Sequence, residues 1–272
     1  MSRLHLTFAC GSSKLGATLD TAPAKTGLLL VSGGNELRSG AFSGQAALAA
    51  SIAAAGFPVF RYDRRGIGDS EGENRGFENS EKDIRSALEA FRAIAPTMEK
   101  VIGLGNCDAA SALMLAGGAG CDGLVLSNPW TIEETGGGAT GDGSTEGGEA
   151  STPPPGAIRA RYLAKLKNPR EVLRLLSGGV NLRKLASGLR KSMAGPAAPS
   201  GLAESMQAGI ADYDGSVRFL LAGADRTAQI FAAGWPEDDA RVHICANASH
   251  AFVEAGASKW YRGHILEALR GA

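Results

Sequence analysis

The stretch Gly103-Leu104-Gly105-Asn106-Cys107-Asp108-Ala109-Ala110 decides how this chain is read. Val101 to Leu104 is a short apolar run, the pattern of a strand buried on both faces. Cys107 to Ala116 is a helix of small residues. A turn this sharp strains the backbone of the residue at its tip, so the neighbours two positions either side must be small. Here they are Gly105 and Ala109. Such a turn lifts the Cys107 side chain above the carboxyl edge of a sheet. It also aims a helix N-terminus, with its positive dipole end, at the atom that reacts there.

Working outward, strands alternate with helices. Leu4 to Ala9 and Leu15 to Leu19, split by Gly11-Ser12-Ser13, predict an antiparallel hairpin. Gly27 to Val31, Pro58 to Tyr62, Val101 to Leu104 and Leu124 to Leu126 read as strands. Between them lie helical stretches at Ala46 to Ala55, stopped by Gly56, and at Glu78 to Ala93, with apolar spacing at Ile84, Leu88 and Phe91. The pattern resumes with strands at Val217 to Ala222 and Arg241 to Cys245, a short helix at Gln229 to Ala233, and a last helix from Ser258 to Leu269. Repeated strand–helix units mean an α/β fold: a mostly parallel twisted sheet with helices on both faces.

The alternation is interrupted. Residues 133–150 hold five acidic residues, no basic one, and many glycines, followed by Pro153-Pro154-Pro155. That composition reads as a flexible loop. Residues 157–194 hold ten basic residues and one acidic, with amphipathic spacing at Tyr162, Leu163, Leu166, Val172, Leu173 and Leu176. The expected organisation is a core of 1–130 and 210–272 with a loop and a helical cap inserted at 131–209.

A nucleophile at such an elbow needs an acid and then a histidine later in the chain. Of the four histidines, His5 precedes the core, His243 falls in a strand and His264 on the last helix. His250, in Asn247-Ala248-Ser249-His250-Ala251-Phe252, lies in a small-residue loop just past the last strand, and is the candidate general base. Asp225 follows the preceding strand directly, at the same sheet edge. It is the candidate for orienting the imidazole, and its ordinary alternative is a helix N-cap. Asp238 and Asp239 rank below it, in a loop at the opposite edge. An oxyanion hole needs two backbone N–H groups. One is that of Asp108. The other comes from Ser32-Gly33-Gly34-Asn35-Glu36, from Gly34 or Asn35, between which the sequence does not choose. Asp63-Arg64-Arg65-Gly66-Ile67-Gly68-Asp69-Ser70 forms a glycine-shaped loop that Asp63 and Arg65 could pin by ion pairs. Trp130, where the insertion begins, is a candidate wall for an acyl pocket, or else a hinge anchor.

Together, Asp63 to Ser70, the elbow at Cys107, Asp225 after Ala222-Gly223-Ala224, and His250 resemble the α/β-hydrolase superfamily over nearly the whole chain. More narrowly, Ser32-Gly33-Gly34-Asn35-Glu36, Tyr62-Asp63-Arg64-Arg65-Gly66 and Cys107-Asp108-Ala109-Ala110-Ser111 resemble the exosortase A system-associated hydrolases (type 1). Genes for those bacterial proteins accompany a protein-sorting and exopolysaccharide system. The resemblance implies an α/β-hydrolase fold with a cysteine nucleophile and no settled substrate. Cysteine in place of serine, and Ala109 in place of a second glycine, depart from the common superfamily pattern.

Composition bounds the alternatives. The chain has 272 residues, 44% of them apolar, and 28 Lys+Arg against 28 Asp+Glu. Zero net charge argues against a dedicated nucleic-acid binder. No apolar run reaches the ~18 residues of a membrane span. The start lacks a signal-peptide core, so the expectation is a cytoplasmic protein. The four cysteines and four histidines have no metal-ligand spacing. A phosphate loop and a dinucleotide fingerprint are both missing, so no cofactor or metal is expected. The expected function is hydrolysis of a carboxylic ester or thioester through a Cys-His-Asp triad and an acyl-cysteine. The alternatives are an acyltransferase using the same cysteine and a non-catalytic binding protein of this fold. The substrate would be a small-molecule or carrier-bound acyl compound, and the basic stretch leaves room for an anionic one. Oligomeric state is open.

Overall fold

The computed structural model describes residues 2–132 and 201–272. The acidic loop and basic cap expected between 133 and 194 lie outside the described residues.

The chain opens with the expected hairpin, β1 (Arg3–Cys10) and β2 (Ser13–Asp20), paired antiparallel along its length. Then follow β3 (Thr26–Val31), α1 (Gly44–Ala54), β4 (Val59–Tyr62), α2 (Glu81–Ile94), β5 (Lys100–Asn106), α3 (Asp108–Leu115) and β6 (Gly123–Ser127). After the undescribed segment come α4 (Gly201–Gly209), β7 (Ser216–Ala222), α5 (Arg226–Gly234), β8 (Val242–Cys245) and α6 (Ala255–Gly271). The eight strands form one sheet in the order β1-β2-β4-β3-β5-β6-β7-β8. β2 runs antiparallel to both its neighbours, and every pair from β4 to β8 is parallel.

Period-two alternation explains the two-sided core. Leu29, Val31, Phe60, Tyr62, Leu124, Leu126, Phe219 and Leu221 point to one face, where Ile84, Leu88 and Phe91 of α2, the alanines of α3, Met206 of α4 and Phe231 of α5 cover them. Leu28, Leu30, Val59, Ile102, Leu104, Val125 and Leu220 point to the other, under Ile52 of α1 and Ile265, Leu266 and Leu269 of α6. The strands are apolar on both faces because helices lie on both. Gly209 sits where α4 meets α3 so closely that a Cβ would fall 2.2 Å from the Met114 carbonyl oxygen.

Two boundaries differ from the sequence expectation. α6 begins at Ala255, not Ser258: Glu254 is its N-cap, and Ser258 N–H already donates to the Glu254 carbonyl within the first turn. α2 begins at Glu81, because Phe77–Asn79 form a short 3-10 turn ahead of it.

Candidate active site

β5 ends at Asn106 and α3 starts at Asp108, so the chain reverses direction on Cys107 alone. Its φ of 60° and ψ of −127° lie in a region that residues with a side chain rarely enter. Neighbouring hydrogen bonds hold it there. Cys107 N–H donates to Ser127 O of β6 at 2.9 Å, and its carbonyl accepts from Ala110 N–H at 3.1 Å. Gly105 must be glycine, since a Cβ there would lie 2.6 Å from the carbonyl carbon of Ala109. Of the two small neighbours in the sequence argument, Gly105 is thus required by backbone contact.

Asp225 follows β7 and caps α5, accepting from Ala228 N–H at 3.0 Å. Its Oδ2 also lies 3.0 Å from His250 Nδ1. The helix-cap role and the imidazole-orienting geometry coexist in one carboxylate. Burial pushes the Asp225 carboxyl up, but hydrogen bonds from His250 and from Ala228 N–H outweigh it and leave it below the ordinary carboxylate value. His250 Nδ1 faces Asp225, and the Cys107 thiol is near enough to act on the imidazole as well. The Asp225 contact first, then the Cys107 contact, raise the imidazole from 6.5 to about 10, against the opposing effect of burial.

That shift has a signed consequence. A histidine whose folded value lies above its unfolded value stabilises fully below the unfolded value and loses that contribution as pH rises through the folded one. The stability advantage of the native protein over His250→Gln should be complete below about pH 6.5 and fade toward about pH 10. The ring is 39% exposed, so screening keeps the advantage small. Urea unfolding at pH 6, 8 and 10 measures the trend, and an advantage that grows with pH would contradict the arrangement.

Two asparagines that sequence reasoning did not single out place the histidine loop. Buried Asn128, just past β6, donates from Nδ2 to the His250 carbonyl and to Asn106 Oδ1, both at 3.0 Å. Its Oδ1 accepts from Ala222 N–H at 2.8 Å. Asn106 Nδ2 also reaches the His250 carbonyl, at 3.4 Å. The ends of β5, β6 and β7 and the loop after β8 are thus tied at one point. The Asn128-Pro129 step at a strand end was the only sequence signal for this.

Of the oxyanion candidates, Gly34 and Asp108 meet, while Asn35 Oδ1 accepts from Asn74 Nδ2 at 2.8 Å. Asp108 N–H opens α3, where the first N–H groups have no partner within a helix. Gly34, at φ 52°, gives its N–H to the Asp108 carboxylate. Arg64 donates to the Gly34 carbonyl. Trp130 is half-buried. Its backbone N–H donates to Ser111 Oγ and its indole N–H to Ile132 O, both at 2.8 Å.

Asp63 and Arg65 pin the loop after β4 by ion pairs, each with a partner outside the loop. Buried Asp63 pairs with Arg38, and Arg65 pairs with Asp83 at 2.5 Å. Of the rival acids, Asp239 is held by Arg241 and by Trp235 Nε1, away from His250. His243 and His264 stack on each other, 4.7 Å apart, and His5 meets Thr18. Among the described residues, no group of histidine, cysteine and carboxylate side chains could hold a metal. None of their helices is long and apolar enough to cross a membrane.

Residues 28–259 match the family model described as the alpha/beta hydrolase family. The chain belongs to the alpha/beta hydrolase family. Solved structures agree on the fold. An alpha/beta serine hydrolase without a lid from Xanthomonas campestris is 14% identical with a TM-score of 0.56, over 99% of this chain and 94% of that one. An esterase of Pyrococcus furiosus is 12% identical with a TM-score of 0.61, over 99% and 90% of the two chains. Est1E of Butyrivibrio proteoclasticus, solved with ferulic acid, is 11% identical with a TM-score of 0.55, over 97% and 99%. At these identities the likeness carries the fold alone. No curated protein matches the sequence. The Xanthomonas campestris protein is described as a serine hydrolase, whereas this alpha/beta hydrolase has Cys107 at the tip of the turn.

Proposed function

We propose that this protein hydrolyses a carboxylic ester or thioester through Cys107, His250 and Asp225. The observation that supports the reading is the His250–Asp225 pair, 3.0 Å apart, with Cys107 on its strained turn near enough to act on the ring. With the proton of the Cys107–His250 pair on the imidazole, whose cation Asp225 stabilises, the sulfur attacks the substrate carbonyl carbon. The carbonyl electron pair moves onto oxygen, which takes hydrogen bonds from Asp108 N–H and from the loop after β3. When the pair returns, the alcohol or thiol leaves with the proton held by His250, and an acyl-cysteine remains. Water then attacks that thioester, giving its proton to His250, and the acid departs as Cys107 regains its hydrogen.

The resemblance to exosortase A system-associated hydrolases supports cysteine as the nucleophile, since that group carries it at the same position of the turn. The ring of Trp130 is the proposed wall of the acyl pocket. Four cysteines with no disulfide among them fit reducing surroundings, which supports a cytoplasmic location. A p-nitrophenyl ester panel followed by peptide mapping tests the reading. The acyl group should be found on the peptide containing Cys107. Labelling elsewhere, or none, would overturn the proposal.

A further inference from the structure

The carboxylate of Asp108 sits on a donor that the proposed reaction needs. Gly34 N–H lies 2.7 and 2.8 Å from its two oxygens. The approach is so close that a Cβ on Gly33 would fall 2.5 Å from Asp108 Oδ1. Beside it, the Arg64 side chain is 5% exposed, and its Nη2 already donates to Asp108 Oδ2 at 3.5 Å, the outer limit of a hydrogen bond. One Arg64 nitrogen, Nη2, donates to the Gly34 carbonyl, while Nη1 is buried and has no hydrogen-bond partner among the described residues. A guanidinium presents a planar fork that fits both oxygens of a carboxylate. Here one prong is unused.

We infer that Asp108 is a positioning residue that controls the oxyanion site: its carboxylate occupies Gly34 N–H at rest and must shift onto the Arg64 fork before a substrate oxygen can use that donor. The inference rests on Cys107 as the nucleophile. A donor already bonded to a carboxylate contributes nothing to a developing oxyanion. Only molecules in which the carboxylate has moved react at the full rate, so kcat/KM is reduced by the fraction that has opened. The same factor applies to every ester, because each finds the same resting state. Asp108 N–H, the other donor, belongs to the backbone and survives any substitution of the side chain.

The test compares two reactions of one sulfur. Acylation of Cys107 by p-nitrophenyl acetate builds an oxyanion, whereas alkylation by iodoacetamide displaces iodide and builds none. Their ratio therefore reports the oxyanion site apart from thiol reactivity. In Asp108→Ala the ratio of acylation to alkylation should rise tenfold or more. Asp108→Asn, whose amide oxygen is a weaker competitor for Gly34 N–H, should fall between it and the native protein. If the carboxylate only braced the loop, the order would reverse, with the native protein fastest. That reversal, or an unchanged ratio with Cys107 still acylated, overturns the role of Asp108 alone. Absence of acylation on Cys107 in all three proteins overturns the proposed function as well.

Discussion

Cys107→Ala should abolish turnover of p-nitrophenyl esters, by about three orders of magnitude or more, because it deletes the sulfur on which the proposed acyl-enzyme forms. The fold should survive, since alanine fits the site and leaves the backbone bonds to Ser127 and Ala110 in place. The unusual φ of 60° adds a second, independent readout. Strain of this kind costs about 1–3 kcal/mol for a residue with a side chain, and glycine escapes most of it. Cys107→Gly should therefore unfold at higher urea than Cys107→Ala, although glycine ordinarily costs entropy. Measured turnover in either variant within tenfold of the native protein would remove Cys107 from the chemistry. Equal urea midpoints would mean that the turn stores no strain.

The largest stability effect is expected at Asp63. Its side chain is fully buried and accepts from Arg38 N–H at 2.5 Å and Asp69 N–H at 3.2 Å, besides pairing with the Arg38 guanidinium. Asp63→Ala leaves those two N–H groups and most of a cation without their acceptor, which costs about 3–5 kcal/mol for a buried pair broken on one side. Arg38 keeps Asp69 at 2.7 Å, so the loss stays at the lower end if that surface contact tightens. Urea unfolding gives the number directly. A loss below about 1 kcal/mol would place Asp63 among ordinary surface ion pairs. Gly68 makes the same point from the other side: a Cβ there would lie 2.5 Å from Asp63 Oδ2, so the loop is wrapped tightly around this carboxylate.

Local patterns carried most of the fold. Apolar runs of three to six residues separated by helical spacing made the strands, and the antiparallel hairpin was visible from Gly11-Ser12-Ser13. His250 and Asp225 were readable because a side chain directly after a parallel strand has to emerge at one known edge. The requirement for Gly105 was readable because it is local, four residues from the backbone it nearly touches. What stayed hidden was long-range and polar. The bond from Asn128 to a main-chain oxygen 122 residues away leaves no periodic trace. The Asp63–Arg38 pair spans 25 residues, and nothing in the spacing favoured Arg38 over Arg65. The last helix was expected to start at Ser258, yet the extended backbone at Glu254 starts it.

The grip of Asn128 and Asn106 on the His250 loop goes through a main-chain oxygen. The imidazole does not hold up its own platform. Address and reagent are therefore independent in this architecture: a different side chain at position 250 would be delivered to the same spot, which makes the protein a ready scaffold for installing a foreign base opposite an unaltered acid.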